Sequence, residues 1–127
     1  MHQIDLLQLV LDRFCAGQSP FVIELDGYGH FRKDVVYINV RKDDKLMDFR
    51  RKLVTVVTAA NLLELPKISG QYIPHLTLAN RDLKEEYFKM AWEQFRDEPF
   101  HAHFQLANIV LYRHDGEIWK EEVLFGF

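Results

Sequence analysis

A histidine and a threonine, spaced for one face of a β-strand, are the residues of this chain best suited to chemistry. Residues 72–79 read Tyr-Ile-Pro-His-Leu-Thr-Leu-Ala. Side chains alternate across a strand, so His75 and Thr77 share a face. Imidazole exchanges a proton near neutral pH, and a hydroxyl can donate to a phosphate oxygen. The pair suits phosphoester chemistry, although His-x-Thr alone is more commonly an ordinary pair with local partners.

The strand that carries this pair is predicted over residues 73–78. It reads as a buried strand, with His75 and Thr77 on the open face of a sheet and Leu76 and Leu78 under helices. Pro74 has no N–H, which is tolerated at the first residue of a strand. Tyr72, just before it, is a candidate for stacking on a nucleobase, although a single aromatic residue is more commonly part of the packing.

Apolar spacing and turn residues predict the remaining elements. An amphipathic helix is expected over residues 3–16, a strand over 21–25, a turn or bulge at 26–29 and a strand over 35–40. A second helix starts at Asp43 or Asp44, and Asn80, Arg81 or Asp82 caps a third. A long strand from 100 to 113 then reverses at Asp115-Gly116 into 117–127, since Asp-Gly favours a hairpin.

This order of elements predicts the fold class. Hairpins replace regular β-α-β alternation, which indicates an α+β fold with an antiparallel sheet and helices packed on one face. No repeat, linker or low-complexity tract divides the 127 residues, so residues 1–127 are expected to form a single domain.

Composition narrows the range of functions. A net charge of -3 and a pI near 6.0 argue against holding long polyanions by bulk electrostatics, but a small or terminal phosphate ligand remains compatible. One basic cluster on the second helix, at 45–52, is expected to be a solvated face more often than a nucleic-acid contact. The single cysteine, Cys15, is expected to be a buried thiol, and with no leader or membrane anchor predicted, a reducing cytoplasm is the default.

Five stretches carry a resemblance to a known family. They are Pro-Phe-Val-Ile-Glu-Leu at 20–25, Gly-Tyr-Gly-His-Phe at 27–31, Val-Val-Tyr-Ile-Asn-Val at 35–40, Pro-His-Leu-Thr-Leu-Ala at 74–79 and Leu-Ala-Asn-Ile-Val-Leu-Tyr-Arg at 106–113. In this order they resemble the second half of the 2'-5' RNA ligase family, within the 2H (two-histidine) phosphoesterase superfamily. The resemblance implies a fold of two α+β lobes, each with an antiparallel sheet, around a cleft.

The resemblance also implies a reaction. In that family two histidines flank the scissile phosphate as general base and general acid, without a metal or other cofactor. By this resemblance His75 would be one acid/base, Thr77 a donor to a phosphate oxygen, and an RNA end or cyclic nucleotide the substrate. The family usually carries two His-x-Thr/Ser motifs, and this chain contains one. The first motif would lie on the N-terminal side, so the sequence looks truncated or degenerate.

Two further histidines could complete a site. His101 and His103, at i and i+2 on a predicted strand, would face the same side and could bind a metal or replace the missing histidine, although an exposed strand face is the more ordinary explanation. A histidine from another chain, in a homodimer, is a further source. The competing hypothesis is a catalytically incomplete nucleotide- or RNA-binding domain, or a structural domain.

Overall fold

The residues that the structure describes form three helices and six strands. The computed structural model describes residues 3–62, 72–79 and 83–127. The elements, in chain order, are α1 Gln3–Ala16, β1 Phe21–Phe31, β2 Val35–Val40, α2 Asp44–Ala60, β3 His75–Ala79, α3 Glu85–Phe95, β4 His101–Leu106, β5 Asn108–His114 and β6 Trp119–Gly126. The α+β class predicted from the sequence is confirmed. The described residues fall into two units.

The first unit comprises described residues 3–21, 44–62 and 105–127. α1 contacts α2 and β6, and β5 and β6 form an antiparallel hairpin. Burying one large apolar side chain stabilises a fold by about 1.5–3 kcal/mol. The core is therefore held mainly by its buried residues, which are Leu7, Leu11, Phe14, Cys15, Phe49 and Phe125. Cys15 is 2% exposed, as predicted, and this burial raises the pKa of its thiol.

The second unit comprises described residues 22–43, 72–79 and 83–104. Its sheet has the strand order β3-β2-β1-β4, and β2 is antiparallel to both β1 and β3. α3 covers one face, because Phe88 and Trp92 contact the His30 ring at centroid distances of 5.4 and 4.5 Å. This agrees with helices on one face of an antiparallel sheet.

The predicted burial of β3 is wrong. Leu76 pairs with Ile38, whose other neighbour Tyr28 contacts α3, so Leu76 does lie on the helix side of the sheet. It is nevertheless 40% exposed, and Leu78, at an irregularity of the β2–β3 ladder, is 52% exposed. The reason is position: β3 is the outer strand in the sheet order, where packing partners are fewer than at its centre.

Three predicted boundaries of strands and helices also differ from those in the structure. β1 continues through 26–29 to Phe31 with a bulge, because Gly27 takes a φ of +72° without the strain of a Cβ. The expected long strand over 100–113 is interrupted at Ala107 into β4 and β5. α3 begins at Glu85 after Lys84, while the predicted caps Asn80, Arg81 and Asp82 lie outside the described residues. Among the described helices, none combines the length and hydropathy that crossing a membrane requires.

The reversal predicted at Asp115-Gly116 is confirmed as the turn between β5 and β6. One Asp115 carboxylate oxygen accepts from the backbone N–H groups of Glu117 and Ile118, both at 2.9 Å, and the other lies 3.1 Å from Lys120 Nζ. These backbone bonds, followed by the lysine, hold the pKa of the Asp115 carboxyl below its ordinary value of 3.8. The charged carboxylate therefore stabilises the hairpin.

Replacing Asp115 by asparagine should change how stability depends on pH. A carboxyl with a lowered folded-state pKa stabilises the fold above its unfolded-state pKa, and this contribution disappears as pH falls through the folded-state value. We expect Asp115→Asn to lower the free energy of unfolding at pH 6 and to differ less from the unmodified chain near pH 2. Urea unfolding followed by circular dichroism at both pH values measures this. Asp97→Asn, at an 82% exposed side chain, is the control. If Asp115→Asn changed the free energy of unfolding by the same amount at both pH values, the stabilising role of the Asp115 charge would be contradicted.

Candidate functional site

The imidazole of His75 is held in one orientation at the start of β3. Its Nδ1 lies 2.7 Å from the carbonyl oxygen of Ile73. A carbonyl oxygen can only accept, so Nδ1 must carry the hydrogen and donate it. In the neutral ring this leaves the lone pair on Nε2, which is the nitrogen that can then take a proton from a ligand.

Two aromatic rings pack beside this imidazole. The Phe31 ring meets it edge-on, at 4.8 Å between centroids and 87° between planes, and the Tyr37 ring lies 5.2 Å away. Phe31 and Tyr37 also contact each other at 4.5 Å. The imidazole is therefore positioned by its own backbone and by rings from β1 and β2.

Strand register places Thr77 on the same face as His75. Asn39 is the β2 partner of His75, and Tyr37 is the partner of Thr77, so all four side chains lie on the face turned away from α3. His75 and Thr77 are both exposed. The predicted placement of both residues on the open face is thus what the structure shows, while their chemical role stays a prediction.

Gly29 makes room for the Tyr37 ring. Gly29 is the β1 partner of Tyr37, and a Cβ added to it would lie 2.5 to 2.7 Å from two ring atoms and the hydroxyl oxygen of Tyr37. Real Cβ atoms do not approach so closely, so the ring can lie across β1 only because residue 29 is glycine. An isolated glycine in a strand indicates such a close approach, and this feature of the sequence could have predicted it.

A second group of polar side chains lies on the same face, beside the β1 bulge. The bulge shifts the alternation of β1 by one residue: Leu25, partner of Val40, points to the α3 side, so Glu24 and Asp26 point to the face of His75. Together with β4 and with Arg41, which directly follows β2, they surround a cavity of about 370 Å³. It is lined by Glu24, Leu25, Asp26, Arg41, His101, Ala102 and His103.

One ion pair and one contact between an imidazole and a carboxylate order this cavity. Arg41 Nη1 lies 2.6 Å from Glu24 Oε2, and the resulting hydrogen bond raises the pKa of the guanidinium above its ordinary value. His101 Nδ1 lies 3.2 Å from Asp26 Oδ1. The side chains of these four residues are between 51% and 75% exposed, so a ligand could reach them. The sequence pointed to His101 and His103 but not to Glu24 and Asp26, whose side is set by the bulge, nor to Arg41, which follows β2.

The proposed metal site at His101 and His103 gains no further ligand. Within residues 3–62, 72–79 and 83–127, no three His, Cys, Asp or Glu side chains converge in a way that could hold a metal ion. His101 lies on β4, three strand positions from His75 on β3. At about 4.8 Å per strand, the two backbones are about 14 Å apart.

The other candidate residues from the sequence lie outside the His75 face and the cavity beside the bulge. Tyr72 is half-buried in the segment that leads into β3. His30 packs against α3, and His114 accepts a hydrogen bond from Gly116 N–H in the hairpin turn. On α2, the basic side chains of Arg51 and Lys52 both pair with Asp48, which supports the solvated-face interpretation of this cluster.

Comparison with known proteins identifies the class and then the family. The α+β fold with its antiparallel sheet is similar to the fold of a 2H phosphoesterase-like protein. A model of the 2'-5' RNA ligase superfamily matches residues 3–118, and the chain belongs to that superfamily. The resemblance predicted from the sequence is confirmed.

One solved structure supports the fold. The crystal structure of TT0787 of Thermus thermophilus is similar with a TM-score of 0.65, at 17% identity, over 98% of this chain and 69% of that one. At this identity the likeness concerns the fold alone. A search of curated proteins finds no match.

Gly29→Ala should disturb both the fold and the His75 imidazole. The added Cβ must displace the Tyr37 ring, and such overpacking typically costs about 1–3 kcal/mol. We expect a loss of that size in the free energy of unfolding, together with shifted NMR resonances of the His75 ring. Gly126→Ala is the matched control, since a Cβ there meets only an ordinary 3.9 Å contact. Unchanged stability and unchanged His75 resonances in Gly29→Ala would contradict the positioning of His75 by Tyr37.

Proposed function

We propose that this chain is a metal-independent phosphodiesterase of the 2H type, with residues 1–127 acting as one domain. Its substrate is a 2',3'-cyclic phosphate or a 2'-5' linkage at an RNA end or on a nucleotide. The observation that carries the proposal is the bond from His75 Nδ1 to the Ile73 carbonyl, which leaves Nε2 on an exposed face two residues from the Thr77 hydroxyl. Membership of the 2'-5' RNA ligase superfamily supports it.

His75 acts as general base in this reaction. As a water oxygen forms its bond to phosphorus, Nε2 takes the proton of that water, and the bond from phosphorus to the 2'-oxygen breaks. The leaving oxygen needs a proton from a second group. The Thr77 hydroxyl donates to a nonbridging oxygen, where negative charge accumulates, and Tyr72 contacts the substrate beyond the phosphate.

The second proton-transfer group comes from another copy of the chain. His101 and His103 lie three strands from His75, so a shared phosphate would require both imidazoles to lean towards each other across β2 and β1. The outer edge of β3 has no neighbouring strand among the described residues, and exposed edges tend to pair. Pairing of β3 with β3 about a two-fold axis that passes near His75 would bring a second His75 within about one strand spacing.

The alternative is a nucleotide-binding domain without turnover. One observation favours it: the 127 residues contain a single His-x-Thr motif, and one imidazole cannot assist both the entering and the leaving oxygen in one step. Such a domain would keep the exposed face and the phosphate donor. It would bind a nucleotide and leave its phosphodiester intact.

His75→Ala should abolish turnover of a 2',3'-cyclic nucleotide. Loss of a general acid/base typically costs about 10²- to 10⁴-fold in rate. Thr77→Val, which keeps the shape and removes the hydroxyl, should cost less, because one hydrogen bond to a charged group contributes about 1.5–3 kcal/mol. The measurement is the rate of ring opening in the presence of a chelator, followed by phosphorus NMR.

Controls separate chemistry from folding in this experiment. His114→Ala and Thr55→Val remove an imidazole and a hydroxyl from the first unit, and both should leave the rate unchanged. Circular dichroism confirms that each variant is folded. Turnover that survives in His75→Ala would refute the assignment, and nucleotide binding without turnover in the unmodified chain would favour the alternative.

Activity per chain should rise with protein concentration if a second copy supplies the other imidazole. We expect the specific rate to follow the fraction of dimer, measured by sedimentation over the same range. Replacing the exposed Leu78 of the outer strand by lysine should lower both together, since a charge on an edge strand opposes pairing. Full activity in a monomer would show that the second group lies within one chain.

A further inference from the structure

The cavity beside the β1 bulge has the dimensions and walls of a site for a flat polar group. Its volume is about 370 Å³, within the usual range for small-ligand sites. Its lining includes the His101 and His103 imidazoles and the Arg41 guanidinium. Imidazole rings and guanidinium planes are among the surfaces on which unstacked bases of single-stranded RNA lie.

The charges in this cavity distinguish between the parts of a nucleotide. Glu24 and Asp26 bring two carboxylates, which repel a phosphate. Each has two acceptor oxygens, so pairing one oxygen with Arg41 or His101 leaves accepting capacity on the carboxylate. A carboxylate accepts readily from the exocyclic amino group of a base. The cavity therefore favours the uncharged, donor-bearing part of a nucleotide.

The position of the cavity relates it to His75. β1 lies two strand positions from β3, so Asp26 and His75 are about 10 Å apart along the sheet and on one face. A group bonded through a ribose to a phosphate at His75 can extend across β2 towards the cavity. Asn39 on β2 and Arg41, which directly follows β2, lie on this path.

We propose that the cavity is a base subsite that selects nucleobases carrying an exocyclic amino group. This proposal rests on the proposed function, in which the phosphate lies at His75. Glu24 and Asp26 accept from the amino group, while His101, His103 or Arg41 packs on the ring. Cytosine presents an amino group where uracil presents a carbonyl oxygen, and two acceptors facing each other repel. The subsite therefore binds cytidine nucleotides more tightly than uridine nucleotides.

The matched pair 2',3'-cyclic CMP and 2',3'-cyclic UMP tests this selection, because the two differ only in the base. Calorimetric titration should give a Kd for the cytidine nucleotide about tenfold lower or more, consistent with one hydrogen bond to a charged acceptor. Asp26→Asn and Glu24→Gln replace a pure acceptor by an amide that can also donate to the uracil oxygen. At least one of them should bring the ratio of the two Kd values near one. Asp97→Asn should leave the ratio unchanged.

The subsite and the proposed function can fail separately. A preference for cytidine that persists in His75→Ala, where turnover is lost, supports both. The same preference in an unmodified chain without turnover supports the subsite and removes the phosphodiesterase proposal. Equal Kd values for the two nucleotides, or a ratio unchanged in both Asp26→Asn and Glu24→Gln, overturn the subsite whether or not the chain turns over substrate.

Discussion

The close approach of the Tyr37 ring to the backbone of Gly29 is the contact on which the second unit depends. A side chain at residue 29 would occupy the space of that ring, and Tyr37 is only 7% exposed although it lies on the face turned away from α3. The buried ring contacts both Phe31 and the His75 imidazole, which also contact each other. Rigid rings lose little conformational freedom on packing, so they hold an exposed imidazole more firmly than flexible side chains would.

The bulge at Gly27 keeps charged side chains out of the interface between the sheet and α3. Without the extra residue, the period-two alternation that places Gly29 and Phe31 on one face would turn Glu24 and Asp26 to the opposite one. Carboxylates there would lose water without gaining partners, at a cost of several kcal/mol each. With the bulge, Glu24 meets the Arg41 guanidinium and Asp26 the His101 imidazole on the open face, and Leu25 is buried instead.

Local features of this structure were predictable, and features set by distant neighbours were not. The shared face of His75 and Thr77 follows from strand alternation, and the Asp115-Gly116 reversal follows from turn chemistry; both depend on a few adjacent residues. The exposure of β3 depends on its place at the edge of the sheet, which no short stretch encodes. The grouping of Glu24 and Asp26 with His101 required knowing that β1 continues through the bulge and lies beside β4.

The proposed placement of a phosphate and a base on one sheet face depends on the distance between the phosphate and the carboxylates of the cavity. Two unit charges about 4 Å apart interact by about 1 kcal/mol in water and about 4 kcal/mol near a protein surface, and at about 10 Å these energies fall by more than half. A phosphate placed in the cavity would meet the Glu24 and Asp26 carboxylates at the shorter distance. Beside His75 it is separated from them by β2, at about the screening length of physiological salt. Arg41 offsets part of this repulsion in the cavity, and the remaining carboxylate charge favours the proposed orientation, with the phosphate at His75 and the base in the cavity.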